Sequence, residues 1–201
     1  MKGKNMNKVN VRLAKREDYP HILALESSNY IDNLQDIQRK DGFLSAKMSE
    51  EQVDAIAKDL GIAVACAGEE LIGFFCVSRP EHWPPDSIVH RLVHYLKTDL
   101  RDKRMADPQS FCIFGPMCLA PSARGKGLLE KLYEHANANL GGRFAAAAGF
   151  ICTENPRSLG AMAKLDWQPT GRFQWGTREY HALIRDIARS SRVTKTMSTN
   201  A

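Results

Sequence analysis

The sequence predicts an α+β fold, in which helices pack against a β-sheet. Segments with strand-type patterns alternate with amphipathic helices along most of the chain. The strands predicted at 62–66 and 71–77 are separated by a short connection that contains glycine, which is typical of an antiparallel hairpin. A further predicted strand ends at residue 119, and a glycine-rich turn leads from it directly into an amphipathic helix.

Side-chain periodicity predicts the elements that precede the hairpin. Residues 9–13 alternate apolar and polar side chains, as half-buried strands do. Apolar residues at helical spacing predict a first helix over 22–30. Ser49, followed by Gln52 three residues later, forms a capping-box pattern, which predicts another helix that ends at Gly61.

The segment 79–109 is predicted to be a helical insertion between two strands. Prolines interrupt its first residues, and apolar side chains recur at helical spacing beyond them. The next strand, 111–119, contains Gly115 followed by Pro116, which indicates a bulge or a splay because proline cannot donate to a sheet ladder. The remaining predicted elements are a helix at 128–140, a strand within 144–153, a short helix at 156–165 and a last strand or strand pair at 174–183.

The length of 201 residues suits one domain. We predict a flexible N-terminal tail at 1–9, a single domain at 10–189 and a flexible C-terminal tail at 190–201. The first residues are basic but no apolar segment follows them, which disfavours a secretory signal, and no apolar run approaches the length of a membrane span. We therefore expect a cytoplasmic protein with no membrane partner.

The residue types that bind metals do not form a convincing site. The cysteines contain no C-x-x-C pair, so we expect them to be reduced and to act as small hydrophobes. They are Cys66, Cys76, Cys112, Cys118 and Cys152. His90 and His94 have the spacing of two ligands on one helix face, with Asp86 a turn earlier. Because the same helix carries an apolar stripe, we favour surface or half-buried histidines and predict no metal.

The net charge of +5 is compatible with a polyanionic ligand. Basic residues near both ends of the chain could contact nucleic acid: Lys2, Lys4, Lys8, Arg189, Arg192 and Lys195. Charged termini are usually solvated, so we rank nucleic-acid binding well below the function that residues 119–129 suggest.

The turn after the strand at 111–119 has the features of an anion site. Backbone N–H groups at the start of the following helix lie at the positive end of its dipole. Gly125 and Gly127 remove side chains where a phosphate must approach the backbone, and Arg124 and Lys126 add positive charge. The turn is not a P-loop, since Gly127 precedes leucine, and the dinucleotide fingerprint fails at Glu130.

This stretch resembles the acyl-CoA loop of the GCN5-related N-acetyltransferase (GNAT) superfamily, R/Q-x-x-G-x-G/A. Arg124, Gly127 and Leu129 occupy the three defining positions, and Leu129 departs from the usual glycine or alanine. The family also often has an asparagine that opens a short helix ending Tyr-x-x-x-Gly-Phe. Asn155 matches that asparagine, whereas Met162 stands at the tyrosine position.

The resemblance covers roughly residues 10–187 and implies a GNAT-like α/β/α layered fold. That fold has a central mixed, mostly antiparallel sheet flanked by helices, with a splayed, bulged strand pair. The implied cosubstrate is acetyl-CoA, without a metal. The implied cofactor-binding residues are Met117, Cys118, Leu119, Arg124, Gly125, Lys126, Gly127, Leu128, Leu129, Asn155 and Ser158.

The implied activity is transfer of an acetyl group from acetyl-CoA to a primary amine of a small molecule or protein. A backbone N–H near 117–119 would hold the carbonyl oxygen, and Glu154 is the first candidate for the base. The family's acid is the tyrosine, which Met162 cannot replace. Ser158 is the predicted substitute, and a thiolate could also leave without an acid. The other candidates for the acid are Cys152, Tyr133 and Tyr180.

Several questions stay open at this point. Met162 and Leu129 also suit a non-catalytic acyl-CoA-binding sensor or interaction module that has lost its general acid. We hypothesise that the proline-bounded helix at 84–97 and the segment 41–44 wall the acceptor side of the site. The sequence does not decide whether the chain forms a homodimer.

Overall fold

The computed structural model describes residues 9–187, which form a seven-stranded sheet with helices on both faces. The strands are β1 (Val9–Leu13), β2 (Ile62–Ala67), β3 (Glu70–Ser78), β4 (Phe111–Leu119), β5 (Ala146–Cys152), β6 (Pro169–Trp175) and β7 (Arg178–Asp186). They lie in the order β1-β2-β3-β4-β5-β7-β6, and neighbours are antiparallel except for the parallel pair β4 and β5. The prediction of a mixed, mostly antiparallel sheet is confirmed.

Helices cover the two faces of the sheet separately. They are α1 (Tyr19–Ser27), α2 (Asp36–Arg39), α3 (Glu50–Asp59), α4 (Ile88–His94), α5 (Leu128–Leu140) and α6 (Pro156–Ala163). Buried residues of α1, α3 and α4 share one apolar cluster, and those of α5 and α6 share another. Because side chains alternate along a strand, Phe74 belongs to the first cluster and Phe75 to the second. We call these sides the α1 face and the α5 face.

Local signals in the sequence predict several elements correctly. The Ser49 hydroxyl accepts the Gln52 N–H at 3.2 Å, and the Gln52 side chain accepts the Ser49 N–H at 2.9 Å, so the capping box is formed. β2 and β3 form the predicted antiparallel hairpin. The insertion between β3 and β4 is helical, since α4 continues as the π-helical turn Tyr95–Asp99.

The first helix differs from the prediction, since it ends at Ser27, before Tyr30. The last predicted element is a strand pair, the hairpin of β6 and β7, which is one of the two alternatives that the sequence allowed. The alanine run at 145–148, which suits helix or strand equally, lies mostly in β5. Ala147 faces the cluster opposite to that of Ala146, so the alternation of a strand decides the outcome.

The predicted tails lie almost entirely outside the described residues. Val9, the last residue of the predicted N-terminal tail, pairs with Ala67 in the sheet. The C-terminal tail at 190–201 and all six basic residues considered for nucleic-acid contact fall outside 9–187. None of the helices within 9–187 has both the length and the apolar character needed to span a bilayer.

The two parallel strands pair at one end and then part. The β4–β5 register covers only Phe111 to Ile113 against Ala146 to Ala148, although both strands continue. A register shift between β3 and β4 accompanies the Gly115-Pro116 peptide, which confirms the predicted bulge and splay. Gly149 lies just beyond the last pair, where an added Cβ would sit 3.2 Å from the Phe114 carbonyl oxygen.

We expect Ser49→Ala to lower the free energy of unfolding by about 1 kcal/mol, because it removes the acceptor for an N–H in the first turn of α3. Chemical denaturation measures the change. Ser49→Asp keeps an acceptor at the same position and is the control. Equal stability of the alanine variant and the wild type would show that solvent replaces the cap without loss.

Candidate functional site

A cavity of about 690 Å³ lies where β4 and β5 diverge. Its wall contains Ile113 and Cys118 from the cluster on the α1 face, and Phe114 and Met162 from the cluster on the α5 face. The cavity therefore passes through the sheet and connects its two faces. This arrangement can hold one ligand from each side with their reacting ends between the strands.

The glycine-rich turn forms one end of this cavity. Gly125 and Gly127 have φ values of 72° and 69°, left-handed conformations that favour glycine, and Gly127 precedes the first residue of α5. An added Cβ at either glycine would meet no atom within 4 Å. The free N–H groups of the first turn of α5 therefore border open space, as an anion site requires.

Arg124 fastens this turn to the other side of the cavity. Its Nε donates to the Leu119 carbonyl at 3.1 Å, while its two Nη atoms donate to the Asp41 carbonyl and to Asn29 Oδ1, each at 2.7 Å. The guanidinium still contributes positive charge at the turn. Its hydrogen bonds, however, give it a positioning role that the motif alone does not predict.

The segment 41–46, which we call the strap, runs along the cavity. On one side Arg124 holds its Asp41 carbonyl, and on the other the Asn155 side-chain amide donates to the Phe43 carbonyl at 2.9 Å. Arg157 also lies 3.4 Å from the Asp41 carboxylate. The strap thus connects the turn before α5 with the start of α6.

Backbone N–H groups of β4 face the opening between the strands. Ala120 N–H donates to the Ile72 carbonyl of β3, and Leu119 is opposite Gly73 in the same ladder. Because antiparallel strands alternate their hydrogen-bonding direction, the N–H groups of Met117 and Leu119 point away from β3. The family resemblance implies that a backbone N–H near 117–119 donates to a developing negative charge on oxygen, and these two groups lie in that range.

The predicted cofactor-binding residues line the cavity except for Lys126, which is exposed. Asn155 is buried and caps α6, since its Oδ1 accepts the Ser158 N–H at 3.1 Å. Ser158 is half-buried and lines the cavity, whereas Glu154 is exposed and does not. The structure therefore brings one of the two predicted catalytic side chains to the cavity wall.

The other candidates for the general acid also differ in whether they line the cavity. Cys152 lines the cavity, and burial raises the pKa of its thiol, so that the thiol keeps its proton. Tyr133 and Tyr180 are buried and do not line the cavity. Met162, at the position of the family's tyrosine, lines it with a side chain that cannot donate a proton.

Glu26 is a candidate that the sequence analysis overlooks. Its side chain is buried on α1, and both carboxylate oxygens accept the Met48 N–H, at 3.1 and 3.2 Å. Burial raises the pKa of Glu26 to about 7, although the Met48 N–H and the charge of Lys47 oppose the change. Glu26 does not itself line the cavity, but its charge acts on Cys118, which does. The sequence does contain one indication of this burial: Glu26 lies four residues after Ile22, on the same buried face of α1.

The side chains considered as metal ligands have other surroundings. His90 Nε2 lies 3.1 Å from the Trp83 carbonyl oxygen. Within residues 9–187, no three histidine, cysteine or acidic side chains come together as a metal site would need. The five cysteines are buried and unpaired.

Comparison with known proteins identifies the fold. No protein-family model and no curated protein sequence matches the chain. An N-acetyltransferase from Staphylococcus aureus Mu50 superposes with a TM-score of 0.62 at 15% identity, over 90% of this chain and 99% of that one. An acetyltransferase of the GNAT family from Streptococcus pneumoniae superposes with a TM-score of 0.58 at 12% identity, over 89% and 99%. The chain has the GNAT fold.

A third GNAT-fold structure includes a ligand. It is yncA from Salmonella typhimurium with its cofactor acetyl-CoA, and it matches with a TM-score of 0.55 at 13% identity, over 90% of this chain and 95% of that one. At such identities the likeness concerns the fold.

We expect the stability of the protein to fall as the pH rises through the pKa of Glu26. A raised pKa means that the folded state binds the proton more tightly than the unfolded state, so this contribution is complete at low pH and is lost above about 7. Glu26→Gln should remove this dependence on pH. The unfolding free energy of the variant relative to that of the wild type should therefore change by about 2 kcal/mol between about pH 5 and about pH 8.

Chemical denaturation at several pH values measures this effect. Glu154→Gln makes the same chemical change at an exposed position and should follow the wild type. Parallel curves for Glu26→Gln and the wild type would show that Glu26 ionises equally well in the folded and unfolded chains.

Proposed function

We propose that the protein is an N-acyltransferase that moves an acetyl group from acetyl-CoA to a primary amine. The observation that carries this proposal is the cavity through the sheet, which ends at an open anion site before α5. The free N–H groups and the glycines with open space above them fit the pyrophosphate of CoA. The residues that would hold the cosubstrate are those of the turn, the splayed part of β4 and the start of α6.

Acetyl-CoA supplies a thioester carbonyl, which is activated toward amines. The N–H groups of Met117 and Leu119 are placed to donate to the carbonyl oxygen as it gains negative charge. In the overall reaction a C–N bond forms and the C–S bond breaks. The ammonium loses two protons, one to solvent through a base and one that ends on the departing sulfur.

We assign the base to Glu26, acting through water, because it is buried on α1 next to Leu25, whose carbonyl lies 4.0 Å from the sulfur of the cavity residue Cys118. Its raised pKa of about 7 also suits proton transfer near neutral pH. It also influences the cavity residue Cys118. Glu154, the candidate from the sequence, would have to act from the exposed surface. Ser158 lines the cavity and is the proposed donor to sulfur.

Binding is tested by thermal unfolding with and without acetyl-CoA. At about 100 times its dissociation constant, a ligand stabilises the folded state by about 2.7 kcal/mol. Gly127→Glu should abolish this shift, since it places a carboxylate at the anion site. Gly176→Glu is the matched control, because Gly176 also has a positive φ, 59°, and open space around it but does not line the cavity.

Catalysis is tested by acceptor-dependent release of the CoA thiol. We expect Glu26→Gln to lower kcat/KM by at least about 100-fold near neutral pH and to remove the pH-rate step near 7. Ser158→Ala should cost about tenfold or less, because a thiolate is a good leaving group without an acid. A larger loss for Glu154→Gln than for Glu26→Gln would transfer the role of base to Glu154.

A second candidate function rests on two departures from the family's motifs. Met162 and Leu129 line the cavity where that family has a tyrosine and a small residue, which would suit an acyl-CoA-binding module without activity. Stabilisation by acetyl-CoA without thiol release from any amine would support this candidate and contradict the enzyme.

A further inference from the structure

We propose that the acceptor is a small amine with an uncharged, apolar body, such as an arylalkylamine or a branched alkylamine. The inference rests on the proposed function and specifies its unknown substrate. It derives from the part of the cavity on the α1 face, which we call the acceptor chamber. The chamber is lined by Phe43, Trp83, Val89, Ile113, Cys118, Phe150 and Cys152.

The insertion between β3 and β4 supplies two walls of the chamber. Trp83 follows the 3₁₀ turn Pro80–His82, and Val89 is on α4. The indole N–H of Trp83 donates to the buried Ser78 hydroxyl at 2.9 Å. Because this polar atom is already paired, Trp83 presents an apolar ring and holds a fixed orientation.

Five charged residues line the cavity, and most of them are on other elements or already have partners. Asp41, on the strap, contacts Arg157, Arg124 is bound to protein oxygens, and Glu130 is on α5. Lys164 directly follows α6. Among the described residues, no charged side chain joins the aromatic and aliphatic wall of the chamber.

This distribution of charge selects against polar acceptors. A carboxylate or a second ammonium on the acceptor would lose its hydration in the chamber without gaining a partner, which is strongly unfavourable. Glu26, a buried carboxylate that does not itself line the cavity, serves the reacting ammonium through water in the proposed mechanism. An aromatic or branched alkyl group, by contrast, gains from leaving water.

The strap favours a small molecule over a protein amine. Its backbone is held by Arg124 on one side and by Asn155 on the other, so the strap forms a fixed border of the cavity. Beside a fixed border, a small amine needs much less room than an extended chain. The acceptor class follows from both features, the apolar wall and the fixed border.

A panel of amines tests the proposal, with acetyl-CoA-dependent thiol release as the readout. 2-Phenylethylamine and phenylalanine share one body and differ by a carboxylate, while spermidine and a short peptide with a free N-terminus represent charged and polypeptide acceptors. We expect kcat/KM for 2-phenylethylamine to exceed that for each of the others by at least about 100-fold.

A pair of variants tests the location. Val89→Ala enlarges the chamber and should raise the preference for 2-naphthylethylamine over 2-phenylethylamine by about tenfold. Val93→Ala makes the same change one turn further along α4 at a buried position that does not line the cavity. It should leave the preference within about twofold.

The outcomes separate this inference from the proposed function. Preference for phenylalanine, spermidine or the peptide overturns the acceptor class and leaves the acyltransferase intact. Equal effects of the two valine variants overturn the chamber as the binding site. Thiol release with none of the apolar amines, in a protein that acetyl-CoA does stabilise, overturns the inference as well, whereas absence of that stabilisation overturns the proposed function.

Discussion

The cavity and the contacts around it exist because β4 and β5 pair at one end and then diverge. Two parallel strands that separate leave backbone N–H and C=O groups without partners, and such groups are costly unless a ligand or water satisfies them. The register ends after Ile113 and Ala148, and the bulge opposite β3 keeps the other side of β4 paired. The protein therefore keeps a continuous sheet and still has an opening that connects its two apolar clusters.

The opening is bordered by elements that come from distant parts of the chain. Arg124 joins the turn before α5 to Asn29 and Asp41, and Asn155 joins the start of α6 to Phe43. These contacts couple the proposed cosubstrate end of the cavity to the strap.

The burial of the side chain distinguishes the two glutamates considered for catalysis. Glu154 directly precedes the motif residue Asn155, which makes it a candidate from the sequence, but its side chain is exposed. Glu26 has no motif around it, but burial on α1 raises its pKa to about 7. Desolvation disfavours the charged carboxylate, and only the packing of α1 against the sheet produces that desolvation.

Local features could be predicted from the sequence: strands from alternation, the start of α3 from the Ser49 capping box, and the turn before α5 from its glycines. These depend on interactions between residues close in the chain, which leave a readable pattern. The sequence also indicated the splay, because Gly115 and Pro116 disturb a strand wherever it pairs. Other features could not be predicted from the sequence: Arg124 binds the strap, Glu154 lies off the cavity, and Trp83 and Val89 line it. Those outcomes depend on which distant segments pack together, and no local pattern encodes that contact.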